Sequence, residues 1–572
     1  MSKKNYQPFW NCAVVSSKQA ESIGAQWGIS PVVAGVMLHR GLHQAEEIEK
    51  FLFPSLTHLP DPNLMKGMEK AVARLMQALE RQEKVLVYGD YDVDGISSTT
   101  LLVQFFRQIG MQITCHIPSR LREGYGLNLA ALQNYADQGI TLLITVDCGI
   151  SNCDEVAFAR SRHMDTIVTD HHEPPALLPD ACAIINPKQP GCSYPEKNLA
   201  GVGVAFNLLI ACRRALRDAG RLHVEINLRR YLDLVALGTV ADVVPLVGVN
   251  RIFVSFGLEE LAAGHRVGIN ALLEVSQVKK ETTISAHDIA FKLAPRLNAA
   301  GRLDSVEDAL ELLLTSDPLL AAELADRLQQ LNLQRRQIES KIYTEIDSQL
   351  FLDPQHGGTH VTILASADWH EGVIGIVASK IAERYFQPTM LISLNDEGMG
   401  KASGRSIPGI NLLELITGSS AYLQQFGGHQ MAVGFSIEEH NLADFRDHLD
   451  ARVGAAMQQR ELQPQLEIDG QVRLQDLSFK LLQDLEMLAP FGYGNPVPVF
   501  AAQGVTVGRA TIVGKNHLRL AVNDRTASVN AIGFSMGDRN VKSDDVVDLA
   551  FTPQINVWNG SRSIQLNLKD IR

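Results

Sequence analysis

Cysteine is sparse in this sequence and never occurs as a CxxC pair. The 572 residues include an odd number of cysteines, seven. They are Cys12, Cys115, Cys148, Cys153, Cys182, Cys192 and Cys212. Most lie in apolar stretches, where a free thiol behaves as a small core residue. A disulfide framework or a zinc knuckle is therefore not expected.

Long apolar runs are also absent. No run of 18 or more uncharged apolar residues occurs, and the opening MSKKNYQPFW is not followed by the apolar segment of a secretory signal. We therefore expect a soluble, cytoplasmic protein without membrane contact.

An excess of positive charge is missing as well. Lys and Arg number 52 against 64 Asp and Glu, which gives a formal charge of −12. A protein that simply coats nucleic acid would be basic, so a polyanionic partner would have to be met by local positive patches and metal ions. Hydrophobic residues make up 45% of the chain, which excludes wholesale disorder, and the length predicts about three or four domains.

An acidic cluster after a short apolar strand is the most informative stretch. VLVYGDYDVDGISS, residues 85–98, carries Asp90, Asp92 and Asp94. Three like charges this close repel one another unless a cation lies among them or one carboxyl is protonated. An EF-hand would need a bidentate Glu at the twelfth position, where Leu101 stands. A metal site is the leading interpretation, and a solvated acidic turn is the alternative.

From this strand onward, strands and helices alternate. Strands at 112–117, 141–146 and 166–169 are interleaved with helical patterns near 96–109, 129–138 and 154–161. The alternation predicts an α/β fold with a doubly wound parallel sheet and helices on both faces. Ligands of such sheets bind beyond the carboxyl ends of the strands, so Asp147 and the triplet Asp170, His171 and His172, each following a strand, should converge with Asp90.

A further carboxylate, Asp242, stands in the apolar segment 234–250. An unpaired charge there would cost several kcal/mol. A core aspartate that caps a helix is one interpretation. Coordination of the same metals is favoured because the rest of the site is acidic and carries His171.

Basic and glycine-rich segments follow. KLAPRLNAAGRL, residues 292–303, places Arg296 and Arg302 where they could contact phosphate, and a plain surface loop is an equal alternative. In GKASGRS, Ser403 and Arg405 suit a terminal phosphate. His370 and His429 lie beside glycines and are candidates for touching substrate, although a lone histidine is usually structural.

Two longer patterns complete the organisation of the chain. Asp317 and Pro318 read as the N-cap and first residue of a helix of roughly 45 Å that connects two lobes. Beyond residue 464, short strands predict a small barrel of OB type. Phe500, Phe534 and Trp558 could stack on bases there, but a core position is the safer interpretation for most of them.

Several motifs together resemble the DHH phosphoesterase superfamily, named for the triplet that stands here at residues 170–172. With GDYDVDG, IPSRLREGYGL, VDCG, ADVVPL, FGGH and the C-terminal barrel, the resemblance narrows to the RecJ family of single-strand-specific 5′-to-3′ exonucleases. It covers nearly the whole chain, from about Gly67 onward.

The resemblance implies an N-terminal extension (1–75), a DHH phosphoesterase domain (76–315), a connector helix (316–352), a DHHA1-like substrate-binding domain (353–460) and an OB-fold domain (461–572). It also implies Mn²⁺ or Mg²⁺, two ions per site, and release of mononucleotides from 5′ ends during DNA repair and recombination. The implied partners are single-stranded DNA with a 5′ end, a single-strand-binding protein and a helicase, and we expect a monomer.

Carried over to this sequence, the implied metal ligands are Asp90, Asp92, Asp94, Asp147, His171 and Asp242. Many superfamily members begin the first motif with histidine. The carboxylate of Asp90 in that place makes the set of metal ligands harder, in the sense of hard and soft ligands. Asp147 would bridge the ions, Asp170 would orient a histidine, and His172 would donate to the scissile phosphate. The candidates for binding substrate phosphates are Arg120, Arg296, Arg302, Ser403, Arg405 and His429.

Two alternative functions remain open at this point. One is another DHH activity, such as a nano-RNA or cyclic-dinucleotide phosphodiesterase, although those relatives lack the C-terminal barrel. The other is a non-catalytic single-strand-binding scaffold, which the intact set of Asp and His residues disfavours.

Overall fold

The structure is a computed structural model. It describes residues 7–120, 122–222, 225–279, 283–303, 306–353, 355–458, 462–558 and 560–572. No helix in these ranges is both long and apolar enough to cross a membrane.

The first elements are a strand and three short helices. They are β1 (Phe9–Cys12), α1 (Ser17–Trp27), α2 (Pro31–His39) and α3 (Ala45–Leu52). Ser16 caps α1 and Ser30 caps α2, where Pro31 takes the first helical position.

The first lobe is a parallel sheet covered by helices on both faces. Its elements are α4 (Met68–Arg81), β2 (Lys84–Tyr88), α5 (Val93–Gln108), β3 (Gln112–His116), α6 (Leu129–Asp137), β4 (Leu142–Val146), α7 (Cys153–Ser161), β5 (Asp165–Thr169), β6 (Ala183–Ile185), α8 (Gly201–Asp218), α9 (Leu232–Ala241), α10 (Gly248–Ala263), α11 (Val267–Val275), α12 (Ala286–Asp288), α13 (Ala294–Leu303) and α14 (Glu307–Leu314). The strand order is β3-β2-β4-β5-β6, with every pair parallel. The predicted doubly wound sheet is confirmed.

The basic segment 292–303 is helical rather than a surface loop. A π-helical turn, Ile289–Leu293, joins α12 to α13 just before Pro295. Proline cannot donate to the preceding turn, and the wider π turn accommodates it without ending the helix.

One long helix, α15 (Pro318–Leu352), connects the two lobes. The side chain of Asp317 accepts a hydrogen bond from the Leu319 amide at 2.9 Å, as predicted for the N-cap. At 1.5 Å per residue, its 35 residues span roughly 52 Å. Leu324 and Leu328 are buried in the first lobe, whereas Ile342 and Ile346 pack with the second.

The second lobe is a mixed sheet. Its elements are β7 (Thr362–Ser366), α16 (Glu371–Tyr385), β8 (Thr389–Leu394), β9 (Met399–Arg405), α17 (Leu412–Thr417), β10 (Gln425–Gly428), β11 (Ala432–Glu438) and α18 (Leu442–Gln458). The strand order is β10-β11-β9-β8-β7, and β7 and β8 are parallel while the other pairs are antiparallel.

The C-terminal part is a closed barrel, which confirms the OB-type prediction. Its elements are β12 (Gln465–Ile468), β13 (Gly470–Gln471), α19 (Phe479–Glu486), β14 (Phe500–Val513), β15 (His517–Asn523), β16 (Ser528–Gly533), β17 (Val546–Trp558) and β18 (Ser561–Ile571). The ring runs β14-β15-β16-β18-β17 and closes where β17 pairs with β14. Phe500 lies in the core, but Phe534 and Trp558 are exposed, so the core interpretation was wrong for these two.

The N-terminal elements pack into this barrel, although more than 400 residues separate them from it in sequence. β1 pairs in parallel with β12, from Phe9 opposite Gln465 to Cys12 opposite Ile468. The buried residues of α1 to α3 share one core with the barrel strands. The expected extension of residues 1–75 reaches into α4, whose Met68 is buried in the first lobe.

A buried arginine ties three parts of the chain together. Arg251 of α10 donates to the carbonyl oxygens of Phe51 at 2.9 Å, Leu488 at 2.9 Å and Met487 at 3.2 Å. Its guanidinium carbon lies 3.8 Å from the centroid of the Phe51 ring. The first lobe, the N-terminal helices and the segment leading into the barrel therefore meet at one side chain.

Candidate metal centre and cleft

The loop between β2 and α5 carries three of the predicted ligands. Asp92 is the N-cap of α5, and its Oδ1 accepts from the amides of Asp94 at 2.9 Å and Gly95 at 3.1 Å. A Cβ on Gly95 would lie 2.4 Å from the carbonyl oxygen of Asp90. The glycine therefore lets the loop fold back tightly enough to bring Asp90 and Asp92 to the same side.

Asp94 is held by the start of α8. Its two carboxylate oxygens accept from the amides of Gly201 at 2.6 Å and Val202 at 2.9 Å. Burial, followed by the charge of Asp92, nevertheless raises the pKa of Asp94 to about 7. The helix terminus thus offsets only part of the cost of burying this charge.

Asp147, directly after β4, has a strained backbone. Its φ is +60°, which is uncommon for a residue with a side chain and is found where the surrounding structure enforces it. Burial, and then the charges of Asp94, Asp92 and Asp242, raise the pKa of Asp147 well above its usual range. The fold therefore holds a carboxylate where, without a cation, it is disfavoured.

His171 lies between two of these carboxylates. Its Nε2 is 3.1 Å from Oδ1 of Asp147 and 3.6 Å from Oδ2 of Asp242. Burial, and then the neighbouring His172, lower the pKa of His171 to about 3, so the ring is neutral and these contacts are not ion pairs. A neutral imidazole is the form that binds metal.

Asp242 is the C-cap residue of α9, so the helix-capping interpretation describes its backbone. Helix capping does not account for its carboxylate, since a negative charge is unfavourable at a helix C-terminus. Burial and the charges of Asp94 and Asp92 raise the pKa of Asp242 well above its usual range. The side chain needs a positive partner, in line with the metal-ligand interpretation.

Several ligand atoms of this centre form no hydrogen bond within the described protein, although His171 Nε2 and Asp147 Oδ1 lie only 3.1 Å apart. Four buried atoms of this centre have no hydrogen-bond partner among the described residues: Asp90 Oδ1, Asp147 Oδ1, His171 Nε2 and Asp242 Oδ2. The acidic and histidine side chains form three overlapping groups whose ligand atoms lie within 4.8 Å of one another. The groups are Asp147, His171 and His172; Asp94, His171 and Asp242; and Asp90, Asp92 and Asp147. Carboxylate oxygens with one or two imidazoles fit Mn²⁺ or Mg²⁺.

Asp170 holds the second histidine of the triplet. Its Oδ1 lies 2.8 Å from Nδ1 of His172 and accepts from the amides of His171 and His172, and its Oδ2 accepts from Ile150. Although burial opposes it, the bond from His172 lowers the pKa of Asp170. Burial likewise acts to lower the pKa of His172, but the same bond and the charge of Asp170 raise it. The pair fixes the orientation of His172 and favours its protonated form.

A cleft between the lobes opens beside these residues. The cavity has a volume of about 630 Å³, and four of the six predicted phosphate-binding residues line it: Arg120, Ser403, Arg405 and His429. Nη1 of Arg405 donates to Oγ of Ser403 at 3.1 Å, and the Arg120 guanidinium lies 5.3 Å from the centroid of the Tyr91 ring. The side chains of two arginines and one histidine therefore face the same cavity.

The other predicted phosphate-binding residues lie outside the cavity lining. Arg302 is half-buried and donates to the Gly372 carbonyl at 3.0 Å, and its desolvation lowers its pKa to about 10. Arg296 donates to Gln329 of α15 at 2.7 Å. His370 is the N-cap of α16, because its Nδ1 accepts from the Gly372 amide. These contacts use only some of the donors of each guanidinium, so phosphate binding by Arg296 and Arg302 stays a prediction.

Two aromatic residues of the site are missing from the sequence-based set. Tyr91 and Tyr125 line the cleft, and the Tyr125 hydroxyl lies 3.2 Å from Nδ1 of His172. Asn298 is also missing, and its side chain accepts from the Val93 amide at the start of α5. Tyr91 stands between two predicted ligands, which was the available signal; nothing local marks Asn298.

Comparisons with known proteins agree with this architecture. Family models match residues 84–239 (DHH family, N-terminal domain), 358–455 (DHHA1 domain) and 468–570 (RecJ OB domain). The chain is 35% identical to the single-stranded-DNA-specific exonuclease RecJ of Bacillus subtilis over 98% of this chain and 70% of that protein.

Two crystal structures of RecJ from Thermus thermophilus are also similar. The complex with Mn²⁺ matches 99% of this chain and 79% of that chain, with a TM-score of 0.85 and 30% identity. The complex with Mg²⁺ matches 99% of this chain and 78% of that chain, with a TM-score of 0.78 and 29% identity.

Proposed function

Because the chain belongs to the RecJ family of single-stranded-DNA-specific exonucleases, we propose that it removes 5′-mononucleotides stepwise from the 5′ end of single-stranded DNA. It is a hydrolase of phosphodiester bonds, and its cofactor is Mn²⁺ or Mg²⁺. The direction of digestion, the use of two ions and a role in DNA repair and recombination are parts of the proposal.

The observation that carries the proposal is the convergence, at the edge of the first sheet, of buried ligand atoms that form no hydrogen bonds. Asp90, Asp92 and Asp147 would hold one ion, and Asp94, His171 and Asp242 a second. When bound, such ions supply the positive charge that activates water for attack on phosphorus and neutralises the leaving oxygen.

The remaining residues of the site orient the substrate. Asp170 holds His172 at Nδ1, and a protonated His172 can donate to an oxygen of the scissile phosphate. Arg120, Ser403 and Arg405 present cationic and hydroxyl donors to phosphates in the cleft. A strand whose 5′ end lies among these donors would lead its first phosphodiester to the metal centre.

The proposal extends to the surroundings of the reaction. A cleft between two lobes suits a single strand, so a helicase and a single-strand-binding protein are the classes of partner that would supply the substrate. We place the activity in the cytoplasm, where chromosomal DNA of a bacterial cell is processed.

The test is digestion of a long 5′-labelled single strand beside a dinucleotide and a duplex, with Mn²⁺ or Mg²⁺. We expect labelled 5′-mononucleotide from the long strand. Asp147→Ala should abolish hydrolysis while single-strand affinity stays within a few-fold, because only the metal centre is altered. Asp180→Ala, an exposed carboxylate paired with Arg160, is the matched control and should retain activity.

Three results would contradict the proposal. Preference for the dinucleotide with the long strand left intact would indicate a small-oligonucleotide phosphodiesterase. Binding without hydrolysis under all metal conditions would indicate a scaffold. Activity that survives Asp147→Ala would remove the metal assignment.

A further inference from the structure

Two paired glycines on the cleft side of the second-lobe sheet have no structural reason to be glycine. Gly427 of β10 lies directly opposite Gly434 of β11. A Cβ on Gly427 would meet no heavy atom within 4 Å, and one on Gly434 would meet only the Ala402 carbonyl oxygen at 3.8 Å. Neither residue has a positive φ. Glycine weakens a strand, so its presence here indicates that another molecule approaches the backbone closely.

Nearby glycines do have structural reasons. A Cβ on Gly400 would lie 2.7 Å from Cγ2 of Ile392, and one on Gly404 would lie 2.7 Å from Cγ2 of Val433. Gly428 has a φ of +141° and lies against the Ala432 backbone. Open space above the backbone is therefore particular to Gly427 and Gly434 among the glycines of these three strands.

The register extends the bare surface into a bay. Gly434 lies opposite Gly427 on one side and Ser403 of β9 on the other, so these three residues form one row on the same face. Residues two positions away along a strand share that face at about 6.6–6.8 Å, so the flanking rows are about 13 Å apart. The flanking rows are Lys401, Ser436 and Gln425 on one side and Arg405 and Ala432 on the other. All of these residues line the cavity between the lobes.

The two ends of the bay differ in charge. Arg405 stands at one end, with Arg120 and His429 in the same cavity. Lys401 at the other end is paired with Glu371 at 3.0 Å. Gly427 and Gly434 face each other in the antiparallel ladder that joins β10 to β11, so the two glycines offer no free backbone donor for a phosphate. The cationic end suits phosphate, and the bare floor suits a flat, uncharged group.

We propose that Gly427 and Gly434 form the floor on which the base of the 5′-terminal nucleotide lies, with its phosphate towards Arg405. The inference rests on the proposed exonuclease function and assigns a subsite within the same cleft. Every nucleobase has a flat face that can lie on such a surface, and the floor carries no side chain that reads a base edge. The subsite therefore accepts all four bases and requires a base to be present.

The test compares Gly434→Val with the wild type on two 5′-phosphorylated single strands, one ending in a normal nucleotide and the other in an abasic one. Binding is measured by fluorescence anisotropy in EDTA, where hydrolysis does not occur. Wild type should bind the normal strand about fivefold or more tightly than the abasic strand, as expected for loss of one stacked base. Gly434→Val should reduce that ratio to near one by weakening only the normal strand, and Gly434→Ala should reduce it less.

The matched control is Gly508→Val in β14 of the barrel, where the nearest atom to an added Cβ is the Ala521 carbonyl oxygen at 3.5 Å. It should leave the ratio unchanged, and all variants should retain the wild-type unfolding temperature. If Gly434→Val weakened the binding of both DNA strands equally, or of neither, the proposed nucleobase subsite would be wrong. A separate digestion with Mn²⁺ tests the exonuclease activity itself, and an inactive wild type would contradict the proposed function. If the wild type is active but Gly434→Val leaves the binding ratio unchanged, only the proposed nucleobase subsite is contradicted.

Discussion

Replacing Arg251 by methionine should weaken the contacts that hold the first lobe, the N-terminal helices and the segment before the barrel together. Methionine keeps the apolar stem and removes the guanidinium that donates to the carbonyls of Phe51, Leu488 and Met487. An unsatisfied buried polar group costs about 1–3 kcal/mol, so three carbonyls left without a donor would cost about 3–9 kcal/mol. Because methionine is smaller than arginine, water can reach some of these carbonyls, and we expect a destabilisation of about 3–5 kcal/mol.

Calorimetry provides the assay. A loss of 1 kcal/mol lowers the unfolding temperature by about 2–4 °C in a domain of 150–250 residues, so a decrease of roughly 6–20 °C is expected. Arg160→Met is the control, since Arg160 forms an exposed ion pair with Asp180 and such pairs contribute about 0–1 kcal/mol. If Arg251→Met unfolds within about 2 °C of this control, the buried guanidinium does not join the three parts.

Three further outcomes are expected. Mn²⁺ should raise the unfolding temperature of the wild type relative to EDTA, because an ion at 100 times its Kd adds about 2.7 kcal/mol to the free energy of unfolding. In a thermal scan, Asp147→Ala should show a smaller difference between Mn²⁺ and EDTA. An equal difference in both proteins would contradict the ligand assignment. Arg405→Ala should raise the KM for 5′-phosphorylated strands more than for 5′-hydroxyl strands, and unchanged discrimination between the two ends would rule out that role. Met37→Ala, in the buried face of α2, should destabilise the barrel by about 2–5 kcal/mol, visible as faster amide exchange in β14 and β15; unchanged exchange there would mean that the N-terminal helices do not support it.

The first lobe could be predicted from sequence because its signals are local. A buried parallel strand is a short apolar run, and VLVY and LLITV are each followed within two residues by an acidic residue, Asp90 and Asp147. The rule that ligands gather beyond such strand ends was sufficient to group these residues with His171. Asp242 was identifiable because a charge in an apolar segment needs a partner.

Other features depend on contacts that no local pattern encodes. The strand Phe9–Cys12 is defined by pairing with Gln465–Ile468, far along the chain. The guanidinium of Arg251 donates to backbone carbonyls and lies over an aromatic ring, so no complementary charge in the sequence points to its burial. Pro295 reads as a helix breaker, and only the preceding π turn makes it compatible with a helix. The different positions of Arg296 and Arg302 follow from that helix.

The pairing of the first strand with β12 has a consequence for synthesis of the protein on the ribosome. The N-terminal helices emerge early, but the barrel core that covers their apolar side is translated more than 400 residues later. At about 5–20 residues per second, roughly 20–80 s pass between the two events. During that time the apolar residues of α1 to α3 are available to chaperones or to other nascent chains. Completion of the barrel therefore waits until its own strands are translated, although the helices that pack against it are made more than 400 residues earlier.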